Sequence, residues 1–415
     1  MKQPNFKRTK FACYSAYFTG SAIFCLPPVL FTVFQEIFGI SYTLLGTLVL
    51  VNFCTQMFID LVFTAFSDKF NPKFVVRVMP IITAVGLFIY ALVPTLSPDH
   101  AYLGLCIGTV VFSVSAGLSE VLLSPMIASI PSDNPQGDMS FLHSLYAFGF
   151  FSVVVTATLF LKLVGIEYWA YLTMFFGVLA FLPSVLFMLS PIPEMGSAKD
   201  GETEKKGGRY AGMVLCVACI FFGSCAENTM SNWVSSYMET ALGIDKALGD
   251  VLGLAGFAVL LGLTRIAYAK FGKKIAPVLL IGMLGAVGCY LVAGLSTSVV
   301  FVVLSCALTG VFTAMLWPGT LIMMEENMPN LGVGAYALMA SAGDLGASLA
   351  PQLMGIVVDE VSVSGFAVDL GAKTGLTAEQ IGLKAGMLTT AVFPMIGVIV
   401  VLISMRYFKK GKKVF

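Results

Sequence analysis

Twelve apolar stretches, each long enough to cross a bilayer, fill most of the chain, and a short charged linker, PEMGSAKDGETEKKGGR at Pro193 to Arg209, parts them into two sets of six. The hydrocarbon core of a membrane is about 30 Å thick and a helix rises about 1.5 Å per residue, so about 20 apolar residues make a span. The stretches lie near residues 11–35, 42–66, 74–94, 101–130, 139–164 and 167–190, then 210–240, 247–271, 276–295, 298–325, 333–358 and 381–408. They are continuously apolar rather than alternating every second residue, which predicts helices and not a barrel. Charged residues make up 11% of the chain and hydrophobic ones 58%, against about 25% charged in soluble domains. A water-soluble fold is excluded. The expected architecture is an all-α membrane protein of twelve transmembrane helices, in two six-helix bundles at 1–190 and 210–415 joined by a linker at 191–209.

Orientation follows from the basic residues. With both termini in the cytoplasm, all of the 24 Lys and Arg fall on that side except Lys162, Lys246, Lys373 and Lys384. The positive-inside rule therefore predicts cytoplasmic termini and a cytoplasmic linker, in a cell or inner membrane. The first apolar segment is too long for a signal peptide and ends in no small-residue cleavage site, so it reads as a span. A net charge of +1 points to no nucleic-acid partner; the expected partners are the lipid bilayer and a small molecule, with the chain a monomer.

No P-loop, HExxH or nucleophile elbow is present, so the chain does not read as an enzyme. The nine cysteines form no disulfide framework. Cys216 and Cys219 have CxxC spacing but lack a second Cys or His pair, and read as apolar packing. No metal and no cofactor are expected beyond a coupling ion. The stretch at Asp359 to Glu379 reads as the one long outer loop.

The halves look like copies. Asp68-Lys69-Phe70-Asn71-Pro72-Lys73 matches Ala269-Lys270-Phe271-Gly272-Lys273-Lys274, Gly117 precedes Pro125 by the interval at which Gly310 precedes Pro318, and FGIS at Phe38–Ser41 pairs with LGID at Leu242–Asp245. A duplicated six-helix unit suits alternating access.

On these features the chain resembles the major facilitator superfamily. SDKFNPKFVVR looks like that family's signature between its second and third helices, with Thr64 where the usual first Gly stands; the resemblance implies that Asp68, Lys69 and Lys73 hold the cytoplasmic gate. More narrowly, GLSEVLLSPMIA at Gly117–Ala128 and FLHSLYAFG at Phe141–Gly149 are similar to segments of the fucose:proton symporter group, which also holds glucose and mannose carriers. That likeness implies that Glu120 carries the coupled proton. The group's acidic residue and asparagines of the first helix are replaced here by Ala22, Ile23, Phe24 and Cys25.

The polar residues inside spans are read beside this. An ionisable group near the bilayer centre costs about 2.5–3.5 kcal/mol, so it faces a cavity or a partner. Five stand out: Asp60, Glu120, His143, Glu227 and Asp344. Glu120 shares a face with Ser113, Gly117 and Ser124. In a dry setting its carboxyl resists ionising. It serves as a proton carrier, or as a neutral acid hydrogen-bonded between helices. Glu227 and Asn228 lie in a polar stripe with Ser224, Asn232 and Ser235, which calls for water, a polar solute or a polar helix seam. Trp233 offers a flat apolar face to a ring, or belongs to a helix seam, and Trp317 lines the cavity or marks a fixed kink. Asp344 is a second proton site or the partner of a cation, with no lysine or arginine in a span as its obvious static partner. His143, with Tyr146 a turn away, suits proton relay or a structural hydrogen bond. Asp60 reads as gate or packing. Pro27-Pro28 and Pro318 interrupt helical bonding. Glycine runs such as Gly332–Pro351 read as close helix packing.

Together these predict a secondary carrier of a small polar solute, a sugar or polyol first, coupled to a proton or to sodium. Two alternatives stay open: an exporter of amphipathic compounds, suited by 34 Phe and 21 Met, and a non-transporting membrane receptor.

Overall fold

The computed structural model describes residues 6–66, 71–132, 135–193, 207–272, 274–328 and 333–411. Every regular element among them is helical. Among the described residues, eleven helical stretches are long and apolar enough to cross a membrane. At the place of the expected eleventh span, Val333–Ser362 forms one continuous helix of 30 residues that is not among those eleven. Large apolar side chains such as Leu159, Leu163, Tyr171 and Phe175 are exposed, a surface suited to lipid and not to water.

The chain divides into two compact units, Met1–Ile40 with Val51–Ala198, and Ser41–Leu50 with Lys199–Phe415. The first holds α1 (Lys7–Gly20), α2 (Ala22–Phe38), α3 (Tyr42–Phe66) from Val51 onward, α4 (Pro72–Leu96), α5 (Ala101–Ala128), α6 (Pro135–Val164) and α7 (Trp169–Met188). Gly39, left-handed at φ 63°, closes α2 with its N–H on the Gln35 carbonyl. Asn71 caps α4 through the Lys73 amide, with Pro72 in the first turn. The core joins Ala12 and Cys13 to Val76, Met79, Leu123, Met126 and Phe187. Outside the apolar segment of α6, Asp138 pairs with Lys10 and accepts from the Tyr14 hydroxyl at 3.3 Å.

The second unit holds the start of α3 with α8 (Gly207–Ser236), α9 (Lys246–Gly249), α10 (Gly256–Phe271), α11 (Ile275–Leu295), α12 (Val299–Thr313), α13 (Leu316–Asn327), α14 (Val333–Ser362), α15 (Gly365–Thr374), α16 (Ala378–Thr390) and α17 (Val392–Gly411). Met283, Met315, Met323, Met324, Met328 and Met339 are buried in its core with Cys216 and Cys219. These methionines fill space between helices and present no adaptable binding surface. The glycine-rich run is a packing seam, as expected: a Cβ on Gly346 would lie 2.4 Å from the Phe221 carbonyl oxygen, and one on Gly343 would lie 2.2 Å from the Trp317 ring.

Two local expectations change. The stretch read as an outer loop is mostly helix: α14 runs on to Ser362, and α15 is capped by the Ser364 side chain and ended by Gly375 at φ 75°. The helix through Pro27 and Pro28 is unbroken, and the interruption sits upstream at Ser21. Ahead of Pro318 and Pro394 the interruptions lie closer, at Ala314–Met315 and at Ala391, about one turn upstream, where proline leaves an acceptor without its donor.

At the start of α3 the second unit supplies a distant cap. Asp359 accepts from the amides of Tyr42 at 3.2 Å and Thr43 at 2.7 Å, while the Tyr42 hydroxyl donates to Glu379 at 2.8 Å. The first amides of a helix lack intrahelical partners, and a carboxylate there satisfies them and the helix dipole together.

Candidate functional site

In the first unit α3 and α5 meet at Gly117. A Cβ there would lie 2.8 Å from Asp60 Oδ1 and 3.1 Å from the Gln56 carbonyl oxygen, so the missing side chain is what lets the Asp60 carboxylate sit against α5. Nearby, Asn52 Oδ1 accepts from Gln56 Nε2 at 2.9 Å and from the Ser113 hydroxyl at 2.7 Å. Asp60 itself is 2% exposed, and neither carboxylate oxygen has a hydrogen-bond partner. Glu120, three residues beyond Gly117, is exposed, and a carboxylate oxygen of each acid lies within 4.8 Å of the other. Two negative charges at that separation repel by about 3 to 4 kcal/mol at an effective dielectric of ~20. The side chain of Ser124, placed on the same face by sequence, lies outside the described residues.

The same unit also holds an aromatic group. Tyr146 packs edge-on against Phe24 at 5.6 Å between ring centroids and also touches Phe150, while Phe24 meets Phe53 at 6.1 Å. His143 lies in α6, and its side chain is outside the described residues. Of the expected gate residues, Asp68 and Lys69 are also outside them, and Lys73 is exposed at the start of α4.

In the second unit the half-buried carboxylate of Glu227 is met by a residue that sequence reasoning did not pair with it. Arg265 Nη2 donates to Glu227 Oε1 at 3.1 Å and lies 3.5 Å from Oε2, and Arg265 Nε donates to the Ala314 carbonyl at 2.9 Å. The side chains are 34% and 19% exposed, so the pair is desolvated in part and still open on one side. The signal was present in the sequence: Pro318 lacks the N–H that would bond Ala314 in a continuous helix, so that carbonyl needs an outside donor. Arg265, inside the predicted eighth span, is that donor. Asn228, partly exposed one residue from Glu227, turns its amide back to Ser224 and leaves its carbonyl to Asn232 Nδ2 at 2.8 Å.

Trp233 sits differently from the expectation of a ring platform. Trp233 is wholly buried, donates its indole N–H to the Pro351 carbonyl at 3.0 Å and packs against Tyr42, so no face is left for a solute. Trp317 is half-buried, with its indole laid against Gly343 and the methionine core. Asp344 is 3% exposed on α14, on the helix that packs along α8.

The packing at Gly117 recurs in the second unit. A Cβ on Gly310 would lie 2.3 Å from the Phe257 carbonyl oxygen, and Phe257 follows Gln56 at the separation that relates Asp68-Lys69-Phe70 to Ala269-Lys270-Phe271. The duplicated sequence thus packs in register. That alignment sets Leu261 where Asp60 stands, and the one that pairs Gly117 with Gly310 sets Thr313 where Glu120 stands.

A sequence profile described as Major Facilitator Superfamily matches residues 11–351. The chain belongs to the Major Facilitator Superfamily. As such it is a multi-pass membrane protein that carries small molecules and is not an enzyme. Solved structures share the fold at low identity. A bacterial homologue of the human lysosomal transporter Spinster, inward-facing and occupied, superposes with a TM-score of 0.76 at 14% identity over 99% of each chain. A D-xylose–proton symporter gives 0.72 at 17% identity over 93% of this chain and 96% of that one. The E. coli fucose:proton symporter gives 0.59 at 14% identity over 96% and 99%. No curated protein matches the sequence.

Proposed function

We propose that the chain is a secondary active transporter, moving a small polar solute, a sugar first, together with a proton by alternating access. The observation that carries this reading is Glu120: a carboxyl group inside a membrane-crossing helix, exposed to exchange a proton. An acid so placed at a cost of insertion serves transport when it is charged and discharged in turn. Asp344 is the second acid of this scheme. Glu227, Asn228 and Arg265 form the solute contact in the second unit, and Tyr146 with His143 in the first. A hydroxyl-rich solute meets donors and acceptors together at the Glu227–Arg265 pair, whereas the Arg265 charge repels the cationic compounds an exporter would carry. The burial of the methionines also speaks against that alternative.

The chain is placed in a cell membrane with both termini cytoplasmic, works as a monomer, and keeps its gate at Asp68, Lys69 and Lys73. Proteoliposomes loaded with a pH-sensitive dye test the scheme. Addition of neutral sugars from a panel acidifies the lumen in wild type and not in Glu120→Gln. Solute uptake with no proton movement, or unchanged coupling in the variant, rejects it.

A further inference from the structure

We propose that Asp60 is the second half of the coupling-ion site, and that it and Glu120 hold a single proton between them. The placement rests on geometry within the first unit. Asp60 is 2% exposed with both carboxylate oxygens unpartnered, an arrangement a structural aspartate avoids because its lone pairs go unmet. The candidate amide donor closest along its own helix, Gln56 Nε2, is committed to Asn52. Within its own unit the Glu120 carboxyl comes inside 4.8 Å. Two acids so close bind a proton as a pair and not as two independent sites.

The internal duplication supplies a control that the protein carries itself. The contact between α3 and α5 is reproduced by α10 and α12, with Gly310 against the Phe257 carbonyl as Gly117 is against that of Gln56. There Leu261, buried, occupies the position of Asp60, and Thr313 that of Glu120. Helix packing of this kind therefore needs neither acid. What the first unit adds is the pair, with Glu120 on the exposed side and Asp60 on the dry side. A proton entering at Glu120 is shared with Asp60, which holds it away from water while the carrier changes state. Asp60 is a binding partner for the ion and makes no contact with the solute. Its role in transport rests on the carrier reading above, but its proton binding does not.

The experiment reads the protonated carboxyl band of purified full-length protein in detergent by infrared difference spectroscopy across pH, with no solute present. In wild type the band titrates as one proton for the pair. In Asp60→Asn and Asp60→Leu, the second being the side chain of the other copy, removal of the neighbouring charge lowers the midpoint of the remaining Glu120 band by about one pH unit or more, a tenfold loss of proton affinity. Thermal melting confirms that Asp60→Leu folds. A Glu120 midpoint unmoved in both variants overturns the pair, as does a band that answers to sodium chloride and not to pH. Loss of sugar-driven proton uptake in wild-type vesicles would reject the carrier scheme while leaving a shared titration standing.

Discussion

Arg265 donates through Nε to the carbonyl of Ala314 at 2.9 Å, the acceptor that Pro318, four residues on, has no N–H to satisfy. One missing amide in α13 thus fixes a guanidinium on α10, and that guanidinium in turn meets Glu227 on α8. Three helices are tied together by a proline's lack of a donor.

Replacing Arg265 by Leu leaves Glu227 a partly buried charge without its cation and the Ala314 carbonyl without its donor. The expected loss is about 2 to 4 kcal/mol, less than for a fully buried pair because both side chains are part-exposed. Double replacement, Arg265→Leu with Glu227→Leu, recovers part of it, since an apolar pair leaves no charge stranded. Melting in detergent gives the comparison; a double variant less stable than the sum of the singles would show that the pair is not acting as a pair.

Gly117→Ala and Gly310→Ala insert the same methyl group against different neighbours. At Gly310 the obstacle is a backbone carbonyl 2.3 Å away, while at Gly117 the nearest atom is the end of the Asp60 side chain at 2.8 Å. Overpacking costs about 1–3 kcal/mol, with the rigid obstacle at the upper end. Gly310→Ala is therefore expected to lower the melting temperature more. Gly117→Ala is expected to fall mainly on transport, because it moves Asp60.

Asp138 sets an acid limit. Hydrogen bonds from Lys10 and Ser132 hold its carboxyl below the usual carboxylate range. A group depressed in the folded state stabilises above its unfolded value, about 3.9, and that contribution vanishes as pH falls through the lower folded value. Asp138→Asn is expected to melt below wild type at pH 7, with the gap closing under about pH 4. A gap that widens in acid would contradict the assignment.

Asp359→Ala removes the acceptor of the Tyr42 and Thr43 amides. A lost cap costs about 1 kcal/mol, up to 2. The effect should be local: hydrogen exchange at the first amides of α3 is expected to rise by about tenfold or more while the core of α11 is unchanged. Uniform change across the chain would point to general destabilisation instead.

The membrane-spanning helices were legible because lipid leaves a segment few choices: length and continuous apolarity suffice. The internal repeat left its mark in turns that kept Phe, Lys and Gly at matched positions. What sequence did not disclose is which way each polar side chain faces. In a soluble helix the apolar stripe fixes rotation, but a helix apolar on all sides carries no such mark. Hence Trp233, read as platform or seam, is sealed inside with its N–H on Pro351, and Asp60, read as gate or packing, stands beside Glu120. Glu227 and Arg265 are 38 positions apart, and only the missing N–H of Pro318 hinted at their meeting. The helix α15 escaped notice because its ten residues are too short and mixed to stand out from a loop.

The cap at Tyr42 has a consequence for any attempt to take the molecule apart. Ser41–Leu50 belongs with later sequence although the ribosome makes it early. Severing the polypeptide between its repeats would therefore not yield two self-sufficient pieces: the leading fragment would trail ten residues whose proper bed, Asp359 and Glu379, is on the other, and complementation between fragments would begin at that borrowed strip.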